Sequence, residues 1–135
     1  MSLLAAESQD VLTGLHNRRS FLALLRRQIL QANDRQHTLA LLVLDIDGFA
    51  RINGAHGFDF GDKLLRHIGQ QLTKVARKQD YAARIGSDRF ALVLPRVMNA
   101  GHAELAVQKL YRLLDLPFQC DDKRLRVGVT MGIAL

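Results

Sequence analysis

An α+β fold, with helices packed on an antiparallel or mixed sheet, follows from three features of the 135-residue sequence. Three segments carry apolar residues at helical spacing, one short apolar run reads as a buried strand, and the remaining strand candidates come in consecutive hairpins. The element order is helix, strand, helix, hairpin, helix, hairpin. Hairpins in succession argue against a doubly wound parallel sheet, whose strands need helical crossovers.

Asn17 suits the N-cap of a helix expected from residue 17 to about 32. There Phe21, Leu25 and Ile29, with Leu22 alongside, recur at three- and four-residue spacing while Arg26, Arg27 and Gln28 fall elsewhere. Residues 39–46 form a nearly continuous apolar run that reads as a strand buried on both faces, and its exit carries Asp45 and Asp47. Asp47 also suits the N-cap of a short helix beginning near Phe49. A second long helix, expected from about 61 to 77, repeats Leu64, Ile68, Leu72 and Ala76 with Leu65 and Val75 on its flank. Strands at 81–85 and 89–94 are separated by Gly86, Ser87 and Asp88, a tight turn that projects the Asp88 carboxylate, and Pro95 closes the second strand.

Asn99 caps a third helix through Leu114, with Ala103, Val107, Leu110 and Leu114 inward and Pro117 as its stop. Strand-like residues around Phe118, a polar turn at Asp121, Asp122 and Lys123, and alternation of Leu125, Val127 and Val129 complete the pattern. The final strand reads as central, so a further helix or strand beyond Leu135 is expected in the natural protein. One domain is expected over 10–135, preceded by linker or vector-derived residues 1–9.

This length supports one sizeable core. Hydrophobic residues at 48% and charged residues at 24% place the chain among ordinary globular proteins. Nineteen basic against thirteen acidic residues give a net charge of +6, which suits a nucleotide, nucleic acid or membrane surface. With six Phe, two Tyr and no Trp there is little material for base stacking, so no nucleic acid polymer is expected. Cys120, the only cysteine, fits a reducing setting, and the longest apolar run, 39–44, is too short to span a bilayer. A cytoplasmic location is expected, free or as the cytoplasmic part of a membrane-anchored protein. His16, His37, His56, His67 and His102 share no ligand spacing, so no transition-metal site is expected.

Asp45 leaves a buried strand and Asp88 tops a hairpin turn; two such carboxylates brought together make an oxygen-rich site suited to Mg²⁺ and phosphates. Each also has an ordinary structural role, one ending a strand and the other favouring a turn. Three longer motifs in register favour the chemistry. Asp10, Leu12, Thr13, Gly14, Leu15, Asn17, Arg18 and Arg19 match the pattern D-x-L-T-G-L-x-N-R-R. Asp45, Ile46, Asp47, Phe49, Ile52, Asn53, Gly61 and Asp62 follow D-I-D-x-F-K-x-I-N-D-x-x-G-H-x-x-G-D, and Arg84, Gly86, Asp88 and Phe90 stand in R-[YF]-G-G-[DE]-E-F. Over 10–135 the sequence resembles the GGDEF domains of the diguanylate cyclase family.

The resemblance implies a sheet of the nucleotide-cyclase palm type and a set of site residues. Asp45, the Ile46 carbonyl and Asp88 match the metal-binding positions for Mg²⁺ carried with GTP. Asp88 also matches the proposed base, which here would be vestigial. Asn53 and Asp62 match the positions that read guanine, an amide and a carboxylate suited to its acceptor and donor edge. Departures are equally specific. Ala50 stands where the family has a phosphate-neutralising lysine, Gly54 replaces an aspartate, Phe58 replaces a histidine, Ser87 fills the second glycine position, and Arg89 replaces the glutamate. Arg51 neighbours Ala50, but one residue turns a helical side chain by about 100 degrees, so it does not stand in for the lysine.

Arg77 and Asp80 lie where the family places an R-x-x-D inhibitory site for cyclic di-GMP, with Arg84 as a helper. A second R-x-x-D, Arg112 to Asp115, lies inside a helix without that context and is expected to be inert. The resemblance and its departures together imply a degenerate GGDEF domain acting as a regulatory module that binds cyclic di-GMP or GTP, with an EAL-type phosphodiesterase or a sensor domain as the expected fused partner. Beside it stand a slow diguanylate cyclase acting as a homodimer, because each protomer brings one GTP, and a structural dimerisation domain.

Overall fold

The structure, a computed structural model, describes residues 7–135. Its elements are α1 (Arg18–Arg35), β1 (Thr38–Ile46), α2 (Phe49–His56), α3 (Phe58–Val75), β2 (Tyr81–Arg84), β3 (Arg89–Val97), α4 (Ala100–Leu114), β4 (Phe118–Cys120), β5 (Lys123–Leu125) and β6 (Val129–Ala134). The main sheet runs β2-β3-β1-β6 with every pair antiparallel, and β4 and β5 form a separate hairpin. This is the expected α+β architecture. β6 pairs only with β1, so among the described residues the closing strand is an edge rather than central.

Strand alternation assigns the two faces of the sheet. Ala40, Leu42, Leu44 and Ile46 of β1 and Phe90, Leu92 and Leu94 of β3 point into the larger core, against Leu64, Leu65, Ile68 and Leu72 of α3 and Ala103, Leu110 and Leu114 of α4. Ala83, Ala91 and Val93 take the opposite face, with Phe21 and Leu25 of α1. The outward set of β1 is half-buried rather than buried, because a single helix covers that face. On α1 it is Phe21, Gln28 and Ala32 that are buried; Ile29 is 44% exposed.

Several boundaries differ from the sequence expectation for local reasons. α3 begins at Phe58, three residues early, because Gly57 adopts φ +91 and turns the chain directly out of α2 into the new helix. It ends at Val75, where the Asp80 carboxylate accepts from the Arg77 backbone N–H (2.8 Å) and draws the chain out of the helix. Asp47 does not cap α2. Gly48 holds that position, while Asp47 accepts from Thr130 Oγ1 (2.7 Å) and donates its own N–H to the Gly128 carbonyl (2.9 Å). Pro95 does not close β3: between Thr38↔Val97 and Ala40↔Leu94, two residues of β3, Pro95 and Arg96, oppose one of β1, Leu39. The proline, lacking a donor, is accommodated in that bulge. Residues 1–6 of the expected linker lie outside the described residues. Glu7, Ser8 and Gln9 are folded in, through Asn17 Nδ2 to the Glu7 carbonyl (2.6 Å), Asn17 N–H to the Ser8 carbonyl (3.0 Å) and a bridge from Gln9 to His16.

Burial disfavours the charged form of two histidines. Burial pushes the His16 imidazole below its ordinary range, and burial, aided by the Lys74 charge, does the same to His67, which lies against Phe118. Groups with lowered folded values bind more protons when unfolded, so their stabilisation is full above the ordinary value of about 6.5 and is lost as pH falls through the folded value. Urea unfolding between about pH 7.5 and 5.5 is expected to show falling stability, and His67→Leu to flatten that slope. A slope unchanged by the substitution would place the pH dependence elsewhere.

Candidate functional site

Asp45 sits near the exit of β1 and Arg89 opens β3, and the register places them directly opposite one another. Side chains so paired share one face of the sheet. Arg89 Nε donates to Asp45 Oδ1 at 2.7 Å and its Nη2 to Oδ2 at 3.3 Å, a two-pronged contact that takes both carboxylate oxygens. The Asp45 hydrogen bond and charge raise the Arg89 pKa further. Asp88 tops the adjoining turn: its carbonyl accepts from the Ile46 N–H (3.1 Å) and its Oδ1 from Ser87 Oγ (3.0 Å). The turn is held from below by Arg84, which donates to the Gly86 and Ser87 carbonyls (3.2 and 2.8 Å) and pairs with Asp10 (3.2 Å). Burial pushes the Asp10 carboxyl up, but hydrogen bonds from Thr13 and the Arg84 guanidinium outweigh it, and the net shift is downward.

Beside this end of the sheet, α2 exposes Ala50, and no side-chain charge stands at that position. Asn53, on α2, turns toward α3 with its Oδ1 buried and without a partner among the described residues; a Cβ at Gly61 would collide with that oxygen, so a larger residue there must displace the Asn53 side chain. One residue on, Asp62 is exposed, and Phe58 stands 76% exposed one turn earlier.

A second cluster forms where β2, the end of β3 and α4 meet. Arg77 Nε and Nη2 donate to the two oxygens of Asp80 (each 3.2 Å), Nη2 also to the Arg96 carbonyl (3.3 Å), and Nη1 contacts His102 Nε2 (2.9 Å). The Asp80 side chain is 0% exposed, the Arg77 side chain 34%. A guanidinium only donates, so His102 Nε2 accepts in this contact, and its Nδ1 lies 3.4 Å from the Met98 N–H. The cluster opens into a hollow of about 300 Å³ lined also by Leu105, Lys109 and Arg112.

The diguanylate cyclase, GGDEF domain family model matches residues 7–135. The chain belongs to the GGDEF family. Among its relatives, MucR of Pseudomonas aeruginosa, a bifunctional diguanylate cyclase and cyclic di-GMP phosphodiesterase, is 36% identical over 93% of this chain, which spans 18% of MucR. NbdA of the same organism, a cyclic di-GMP phosphodiesterase, is 32% identical over 93% of the chain and 16% of its own length. The coiled coil and GGDEF domain of DgcB from Caulobacter crescentus, solved with c-di-GMP, superposes with a TM-score of 0.89 at 27% identity, covering 97% of this chain and 70% of that one.

In this GGDEF domain the sequence motifs assemble as two clusters rather than one. Asp45, Ile46, Asp88 and Arg89 meet at the carboxylate end of the sheet. Arg77 and Asp80 meet in the hollow, while Arg84 is committed to Asp10 and the signature turn instead. Cyclases of the family use Mg²⁺ with GTP, but the residues here do not fit that ion as arranged. Both Asp45 oxygens accept from Arg89, and one Asp88 oxygen accepts from Ser87. Arg112 is not inert by position: it lines the same hollow as Arg77, and Asp115 pairs with Arg126 (3.5 Å) rather than with Arg112. His102, 25 residues from Arg77 and without any ligand spacing to the other histidines, carries no sequence signal for this contact.

Proposed function

We propose that this GGDEF domain is a guanine-nucleotide-binding regulatory module rather than a working cyclase. The observation that carries the reading is the Asp45–Arg89 contact, which fills the metal-binding carboxylate with the chain's own cation. Ala50 adds to it, because a methyl group supplies no charge to a transferring phosphate. A bound GTP would place its guanine at Asn53 and Asp62, and Arg89 beside Asp45 would face its phosphates. Cyclic di-GMP would occupy the hollow, its phosphates met by Arg77, Lys109 and Arg112, with Asp80 fixing the Arg77 guanidinium from within. Relatives that are phosphodiesterases, or are bifunctional and far longer than this chain, support a fused catalytic partner as the module that receives the signal.

Calorimetric titration with GTP and with cyclic di-GMP tests the reading. GTP is expected to bind with little dependence on Mg²⁺. Asn53→Ala and Asp62→Ala are each expected to weaken it about tenfold or more, the loss of a hydrogen bond to a charged or strongly polar edge. Equal affinity for ATP and GTP would show that these two residues do not read the base. The retained Asp45, Asp88, Asn53 and Asp62 also sustain the alternative of a slow homodimeric cyclase, in which Arg89, 56% exposed, swings away from Asp45.

A further inference from the structure

Net charge concentrates on one helix. α1 carries Arg18, Arg19, Arg26, Arg27 and Arg35 against Asp34, a net of five minus one, or four of the six net positive charges of the chain (nineteen minus thirteen). All five arginines are exposed, and none forms an ion pair with a described residue. The same outer face carries aliphatic side chains, Leu22 and Leu30 being 51% and 59% exposed, while Ile29 lines a hollow beside the sheet with Leu25, Leu39 and Leu41. Helical spacing aligns Leu22, Arg26 and Leu30 as i, i+4 and i+8, with Arg18 and Arg19 extending the stripe toward the N-terminus. The opposite face is fully used, with Phe21 and Ala32 buried against the sheet. The outer stripe therefore contributes nothing to the core.

From this charge and apolar pattern we propose that the outer face of α1 docks on an anionic membrane surface. An in-plane amphipathic helix binds by pairing guanidinium groups with lipid phosphates while its aliphatic side chains enter the acyl boundary. α1 offers both along a helix about 27 Å long. A nucleic acid duplex would use the arginines and leave Leu22 and Leu30 in water. No helix among the described residues is long and apolar enough to cross a membrane, so the contact is peripheral.

Co-sedimentation with vesicles tests this directly. The protein is expected to partition onto vesicles of equal parts phosphatidylcholine and phosphatidylglycerol, to ignore pure phosphatidylcholine, and to release as salt approaches about 0.5 M. Replacing Arg26 and Arg27 by Glu should reduce partitioning about thirtyfold or more, near fivefold for each basic residue removed. Leu22→Ser with Leu30→Ser should reduce it as well. Arg66→Glu with Arg124→Glu, exposed positions on α3 and β5, makes the same charge change away from α1 and should have a much smaller effect. Circular dichroism confirms that each variant is folded. Failure of the wild-type protein to bind the anionic vesicles overturns the proposal. So do equal losses in the two charge-reversed pairs, an inert leucine pair, or tighter capture by duplex DNA than by vesicles.

Discussion

Incubated with GTP and either Mg²⁺ or Mn²⁺, the purified domain is expected to make no cyclic di-GMP above the level of its Asp45→Asn variant. Two independent lesions produce this result. Arg89 takes both oxygens of Asp45, so a metal ion must displace a two-pronged guanidinium before it can bind. Ala50 leaves the transferring phosphate without its charge partner, and the loss of one preorganised partner costs about a hundred- to a thousandfold in rate. The two losses do not simply multiply, because groups acting as a unit are not additive, but either alone takes turnover down to a trace. Product formed at ordinary cyclase rates and abolished by Asp45→Asn would replace the regulator by an enzyme. The assay is nucleotide chromatography over a long incubation.

Arg77→Ala is expected to weaken cyclic di-GMP binding about ten- to a hundredfold, the worth of about 1.5–3 kcal/mol for a charge-assisted contact. The geometry refines what else should happen. Of the five N–H groups of a guanidinium, Arg77 already commits four, to two Asp80 oxygens, the Arg96 carbonyl and His102. A ligand phosphate must share the guanidinium with these partners and draw its remaining contacts from Lys109 and Arg112. Arg112→Ala is therefore expected to cost affinity, though less than Arg77→Ala, whereas Arg126→Ala, on the exposed pair with Asp115, should be silent. His102→Ala should leave binding intact or tighten it. If cyclic di-GMP fails to bind the wild-type protein at high micromolar concentration, or if Arg126→Ala is as harmful as Arg77→Ala, the hollow is not its site and a structural dimerisation role moves ahead.

The helices and strands were legible because their apolar periodicity is strong, and the motifs put Asp45 near a strand end and Asp88 on a turn, where the structure has them. Boundaries were missed where tertiary contacts outweigh local preference. Pro95 reads as a strand terminator, but the bulge against Thr38 and Ala40 accommodates it. Asp47 reads as a helix cap, but Thr130, 83 residues away, claims its carboxylate. Arg89 was legible as an inverted charge; that it grips Asp45 through Nε and Nη2 depends on the β1–β3 register, where a slip of one residue would send it to the other face of the sheet. Arg112 was misjudged because its four-residue motif was weighed instead of its helical spacing. His102, Leu105, Lys109 and Arg112 succeed one another at three and four residues and so share the face of α4 that opens to Arg77.

The tie between Asp10 and Arg84 also has a mechanical side. His16 donates its N–H to the Ala82 carbonyl and accepts from the Arg84 N–H at 2.9 Å, so the segment before α1 runs as a short extra rung along β2. Arg84 then grips Asp10 with one end of its guanidinium and the Gly86 and Ser87 carbonyls with the other. Between the first described residues and the signature turn there is thus no slack, only directional bonds between rigid backbone. A twist or pull applied ahead of Glu7 arrives at Ser87 through a stiff lever instead of being absorbed by a leash.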